Sequence, residues 1–194
     1  MIKNFFGHLK TVLIHKFWVF YYACKLGIPW QGFIHDFSKF SSVEFFESVK
    51  FYQGGKKSPI PVVKKELGYS KAWQHHKGRN PHHYEYWTDN FDNGVIALQI
   101  PYKYVIEMVA DWLGAGKAYN GKSFSIKQEI DWWNNCKDLK FINEETKLLI
   151  SFIFESIDEE GFKSIRKMKG ELKDIYEAKQ MKYLLKSYVN FEYF

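Results

Sequence analysis

An acid set inside an apolar run narrows the folds open to this chain. Asp36 lies in Gly32-Phe33-Ile34-His35-Asp36-Phe37, where a buried carboxylate is costly unless a cation or hydrogen-bond donors meet it. The fold must therefore bring partners to Asp36 from elsewhere, and the chain offers them. His15 precedes the pair by one helix and a turn, and His75-His76, His82-His83 and Asp111 follow it. Four of the seven histidines lie in two adjacent doublets within residues 75–83, which a scatter of surface histidines does not produce. Adjacent His35 and Asp36 supply one imidazole and one carboxylate from a single turn, a pairing suited to two divalent metals sharing a bridging acid.

Helical signals dominate the rest. Leu9–Leu26 reads as a first helix stopped by Gly27 and Pro29, and a short second helix is expected to carry His35 and Asp36. Ser41-x-x-Glu44 resembles a capping box opening a third helix that fades at Gly54-Gly55. Lys56–Pro61 reads as loop. Ser70 is placed to cap a helix through His76, broken at Gly78 and Asn80-Pro81. Pro101 suits the first residue of a helix running to Leu113 and ended by Gly114 and Gly116. Ser125-x-x-Gln128 opens another, Asn143 caps Glu144–Ile157, and Lys163–Leu185 has a long, charged helical pattern. No run alternates with period two, so strands are minor at most. The expectation is an all-α protein: one helical domain over residues 1–194, with a core from about 9 to 121 and a helical extension from about 122 to 194.

Composition excludes more than it selects. A formal charge of +6, from 28 basic against 22 acidic residues, favours an anionic ligand, yet no basic tract is dense enough to argue for nucleic acid. Val12–Ile28 is aromatic-rich but interrupted by His15, Lys16 and Lys25, short of the roughly 20 apolar residues a membrane span needs. No membrane partner is expected. The N-terminus lacks a secretory pattern, and Cys24 and Cys136 show no paired spacing, so a reducing cytoplasm is the simplest location. Oligomeric state is not legible.

Each candidate has a plain structural alternative. His15 sits among Thr11, Val12, Trp18 and Val19 on a largely apolar helix face, where a histidine is often simply core. Adjacent histidines on a helix point about 100° apart, so one of each doublet faces a given metal. His76 and His83 are preferred, with His75 and His82 as their replacements. A surface histidine loop is the bland reading. Lys103, Glu107 and Asp111 fall at four-residue steps, as a solvated charged stripe would, although Val109, Ala110, Trp112 and Leu113 surround Asp111 with apolar residues. Lys39, one turn beyond Asp36, can hold a phosphate oxygen as a point charge, with Arg79 as a bidentate alternative. Glu85, Tyr86 and Trp87 could wall a pocket.

The order His15…His35-Asp36-x-x-Lys39…Asp111 resembles the signature of the HD-domain metal-dependent phosphohydrolase superfamily. More closely, His35-Asp36-Phe37-Ser38-Lys39-Phe40, the run His75 to Trp87, and Ala110-Asp111-Trp112 resemble a bacterial and phage family that carries no established activity. That likeness spans about Leu9 to Gly121. The resemblance implies an HD-like helical bundle. It also implies metal ligands at His15, His35, Asp36 and Asp111, and further histidines of the 75–83 stretch where two ions are bound.

The reaction this implies is hydrolysis of a nucleotide or other small phosphoester by metal-activated water, with Asp36, Lys39 and Arg79 as catalytic candidates. Two divalent ions are expected, with manganese, iron, magnesium, cobalt, nickel and zinc not distinguished. Two other classes stay open. Four histidines and two aspartates also suit a di-iron oxygenase of the same fold, and a metal-binding interaction protein without activity would keep the same ligands.

Overall fold

The computed structural model describes residues 1–182 and 184. Helices joined by turns and loops make up the described residues, with one small hairpin. The helices are α1 (Ile2–Lys25), α2 (Pro29–Ile34), α3 (Ser42–Lys50), α4 (Ile60–Leu67), α5 (Lys71–Lys77), α6 (Tyr102–Asn120), α7 (Ile126–Cys136), α8 (Glu144–Glu160) and α9 (Phe162–Glu177). The hairpin pairs β1 (Thr88–Phe91) with β2 (Gly94–Ala97), antiparallel, with Thr88 opposite Ala97. The all-α expectation holds. None of the described helices is long and apolar enough to cross a membrane.

The architecture centres on α1 against α6. Val19 and Ala23 from α1, with Leu26 just past its end, meet Val105, Val109 and Leu113 from α6, all fully buried, and the same core continues into Leu149, Phe152 and Ile153 of α8. Trp133 of α7 is buried and donates its indole N–H to Ser151 Oγ at 2.9 Å, which lets a polar ring atom sit in this core at no cost.

Several boundaries follow local chemistry. Ser125 and Gln128 form the full reciprocal capping box, Ser70 caps α5 through the N–H of Trp73, and Asn143 caps α8. Ser41 accepts from the Glu44 N–H, but the Glu44 side chain does not return to Ser41; it is drawn to two histidines instead. Ile60 begins α4 inside the expected loop, because Pro59 and Pro61 fit a first helical turn, where no N–H is needed. α9 stops at Glu177, and Lys179 takes a left-handed φ of 58°, so the expected continuous helix is broken there; its last expected residue, Leu185, lies outside the described residues.

α6 runs straight through Gly114 and Gly116 to Asn120. These glycines mark close approach rather than a stop. A Cβ on Gly114 would lie 2.8 Å from the Val19 backbone nitrogen and 2.9 Å from its Cα, so the missing side chain is what lets α1 and α6 touch. Gly114→Ala is therefore expected to destabilise the protein by about 1–3 kcal/mol through overpacking against rigid backbone, read as a lowered urea midpoint. An unchanged midpoint would mean that the two helices separate freely at this point.

Candidate metal centre

His35 and Asp36 are not on a helix. α2 ends at Ile34, His35 is extended (φ −51°, ψ 131°), and Asp36 is left-handed at φ 55°. Asp is one of the few residues that adopts this conformation readily. Lys16 of α1 donates its ammonium to the carbonyls of Phe33 and His35, satisfying the helix end that would otherwise carry the chain on as helix. The break is what sends both side chains inward: His35 and Asp36 are each 1% exposed.

Around Asp36 the structure gathers two groups of donors. His15, His35, Asp36 and Asp111 bring ligand atoms within 4.8 Å of one another, and so do Asp36, His76, His82 and His83. Asp36 belongs to both through different oxygens. Its Oδ2 lies 3.1 Å from His35 Nε2 and 3.5 Å from His15 Nε2. Its Oδ1 lies 3.4 Å from both His76 Nε2 and His82 Nε2. Asp111 Oδ1 closes the first group at 3.2 Å from His15 Nε2 and 3.2 Å from His35 Nε2. Atoms bound about 2.1 Å from one ion sit about 3.0–3.4 Å apart in octahedral or tetrahedral arrangement.

The hydrogen-bond pattern fits a cation. Nε2 of His15, His35, His82 and His83 and both oxygens of Asp36 are buried without a hydrogen-bond partner of proper geometry among the described residues. Buried polar atoms are rarely left so, and a cluster of them converging on two points is what ligand atoms look like. These buried groups could hold a metal ion.

Two carboxylates behind the histidines fix their tautomers. Glu107 Oε1 accepts from His35 Nδ1 at 3.0 Å and from His82 Nδ1 at 3.1 Å. Glu44 Oε2 accepts from His76 Nδ1 at 2.8 Å. Each bond places the proton on Nδ1 and leaves the Nε2 lone pair facing the centre. Asn80 anchors the turn, donating to Ser38 Oγ and to the His76 carbonyl, both at 2.8 Å.

Charge is concentrated here. Burial alone would raise the carboxyl pKa of Asp36, but His35, Lys39 and His76 outweigh it and hold the group well below the usual range. Asp111 is likewise held well below, its burial overcome by His15 and His35. Burial would lower His35, yet Asp36, Asp111 and Glu107 hold it well above its ordinary value. Carboxylates placed to favour a positive charge at His35 are placed to favour a divalent ion there as well. His83 is pushed down by burial and by His82.

The remaining sequence candidates divide clearly. Lys39 Nζ is 2.5 Å from Asp36 Oδ2 and faces a cavity of about 220 Å³ that His15, His76, His83 and Asp111 also line. His75 turns away, with its Nδ1 2.6 Å from Glu44 Oε1, and belongs to neither donor group. His82, ranked behind His83, stands beside it in the second group, because the two occupy a turn and the 100° rule for helices does not separate them. Arg79 is exposed and lines neither donor group nor cavity. Trp87 donates to the Pro81 carbonyl at 2.6 Å and packs on Tyr104, away from the cavity. The cavity walls come instead from His8, Tyr52, Trp73 and Tyr119.

Residues 4–156 match the model of a family of unknown function, DUF5662. The chain belongs to that family. No curated protein and no solved structure matches it. The matched DUF5662 segment contains every residue of both donor groups together with Glu44 and Glu107, and it ends within α8, before α9 begins.

Glu107 was legible only as part of a charged stripe, and its role in this DUF5662 protein is open to direct test. Glu107→Gln is expected to weaken divalent-metal affinity by about 10–100-fold, because one oxygen orients two histidines. Calorimetric titration of metal-stripped protein with Mn²⁺ or Zn²⁺ reads this; an unchanged affinity would place Glu107 outside the metal's influence.

Proposed function

We propose that this protein is a metal-dependent phosphohydrolase of the HD-domain type, acting on a small phosphoester with two divalent ions bridged by Asp36. The observation that carries the reading is the division of Asp36: each oxygen is met by a different set of histidine nitrogens. His15, His35 and Asp111 with Oδ2 would hold one ion, and His76, His82 and His83 with Oδ1 the other. Bound there, the ions supply Lewis acidity and lower the pKa of water towards neutrality.

The chain's own residues account for the rest. Glu107 and Glu44 keep the Nε2 lone pairs of their histidines directed inward. Lys39, part-exposed at the cavity, places a fixed positive charge where a phosphoryl oxygen would lie, and as a donor it does not compete as a ligand. Burial would lower the Lys39 pKa, but Asp36 and Asp111 outweigh this and raise it, so the ammonium stays charged. Arg79 has no place in this arrangement. The cavity, about 220 Å³, lies below the usual range of about 300–1,000 Å³ for drug-sized ligands, which favours a small phosphoester.

The test is metal identification on anaerobically purified protein, followed by phosphate release from a panel of nucleotides and small phosphomonoesters. Release that depends on the bound metal is expected. Bound iron with an oxygen-dependent optical change and no phosphate release from any ester would instead indicate oxygenase chemistry.

A further inference from the structure

α1 is apolar on two opposite sides, and only one is covered. Val12, His15, Val19 and Tyr22 face the core. On the other side Ile2, Phe6, Leu9, Leu13, Phe17 and Phe20 follow at three- and four-residue steps, which places them in a stripe about 80° wide and about 27 Å long. Phe6 is 63% exposed, Leu13 52% and Phe17 61%. The surface continues past the helix. Ile2 and Phe6 line one surface groove with the exposed Phe46. On the flank, Lys16 Nζ lies 4.3 Å over the Phe37 ring, and Phe37 leads through Phe33 to Trp30, all three exposed. An apolar surface this continuous marks an interaction site rather than ordinary scatter.

Charge identifies the kind of partner. α1 contains Lys3, Lys10, Lys16 and Lys25 and no acid. Of the acids in residues 1–50, Asp36 and Glu44 are buried, and half-buried Glu47 accepts the N–H groups of Lys71 and Ala72. The exposed charge of this region is therefore positive only. A second copy of the chain would set these lysines against their own kind. Aromatic rings flanked by lysines suit the headgroup layer of an anionic bilayer, where rings settle at the apolar boundary and ammonium groups meet phosphates.

We propose that this face of α1, with the neighbouring rings, docks the protein peripherally on an anionic membrane surface. The sequence-based expectation of no membrane partner then holds for spanning only. The proposal is independent of the reaction catalysed in the cavity.

Co-sedimentation with phosphatidylcholine vesicles, with and without phosphatidylglycerol, tests it on the full chain. Binding to the phosphatidylglycerol vesicles at low salt is expected, falling about tenfold or more on pure phosphatidylcholine and with added salt. Leu13→Ser/Phe17→Ser and Lys3→Glu/Lys10→Glu should each lose about tenfold in binding. Tryptophan emission of the unaltered protein should shift blue on the anionic vesicles as Trp30 leaves water. No sedimentation with the anionic vesicles, or equal binding to both compositions, would overturn the proposal. So would a dimer by light scattering that Leu13→Ser/Phe17→Ser converts to monomer, since a second copy would then be the occupant.

Discussion

Replacing Asp36 by alanine is expected to remove metal binding altogether, where loss of any single histidine removes only part of it. The reason is geometric. His15 and His35 approach Oδ2, His76 and His82 approach Oδ1, and no other side chain belongs to both four-residue donor groups among the described residues. Alanine leaves each group one ligand short and leaves Lys39 without its 2.5 Å partner, so a positive charge would face the place where the proposed ions would sit. Unaltered protein in metal at about 1,000-fold over Kd should gain about 4 kcal/mol of stability by mass action, and Asp36→Ala should gain none. Melting curves with and without Mn²⁺, together with elemental analysis, check this. A full metal complement in the variant would remove the bridging role.

Lys39→Ala carries the next largest effect, on rate and not on metal. The ammonium faces the cavity, and its ion pair is with Asp36, so its loss should leave fold and metal content intact. If the site transfers phosphoryl groups to water, removing one donor to the developing charge should lower turnover by about 10²–10³. The decisive comparison is turnover of the best phosphoester by metal-loaded variant and metal-loaded parent. Equal rates would make Lys39 a surface lysine and would count against phosphohydrolase chemistry as well.

What could be read from the residues, and what could not, separates along a physical line. Asp36 announced itself because a carboxylate inside an apolar run needs partners, and His15 because one helix and a turn can bring it to that pair. Glu107 and Glu44 did not, since each has an innocent local explanation: one completes a four-residue charged stripe, the other a capping box. Only the tertiary structure shows Glu107 to be 6% exposed and Glu44 4%, each turned to a pair of histidines. Gly114 reads as a helix stop until Val19 is seen against it. The order of the histidine doublets was legible, but which ring faces Asp36 depends on a turn whose course lies in Asn80 and its bonds to Ser38 and His76, contacts that no periodicity encodes. The expected helical setting of His35 and Asp36 failed for a similar reason: the Lys16 ammonium that ends α2 comes from another helix.

The most direct measurement is the metal stoichiometry of anaerobically purified protein, beside that of His76→Ala/His83→Ala. Two divalent ions per chain are expected in the parent and one in the double variant, because the Oδ2 side keeps His15, His35 and Asp111 intact. One ion per chain in both proteins, or none in the parent after titration with excess metal, would contradict a centre shared across the two oxygens of Asp36.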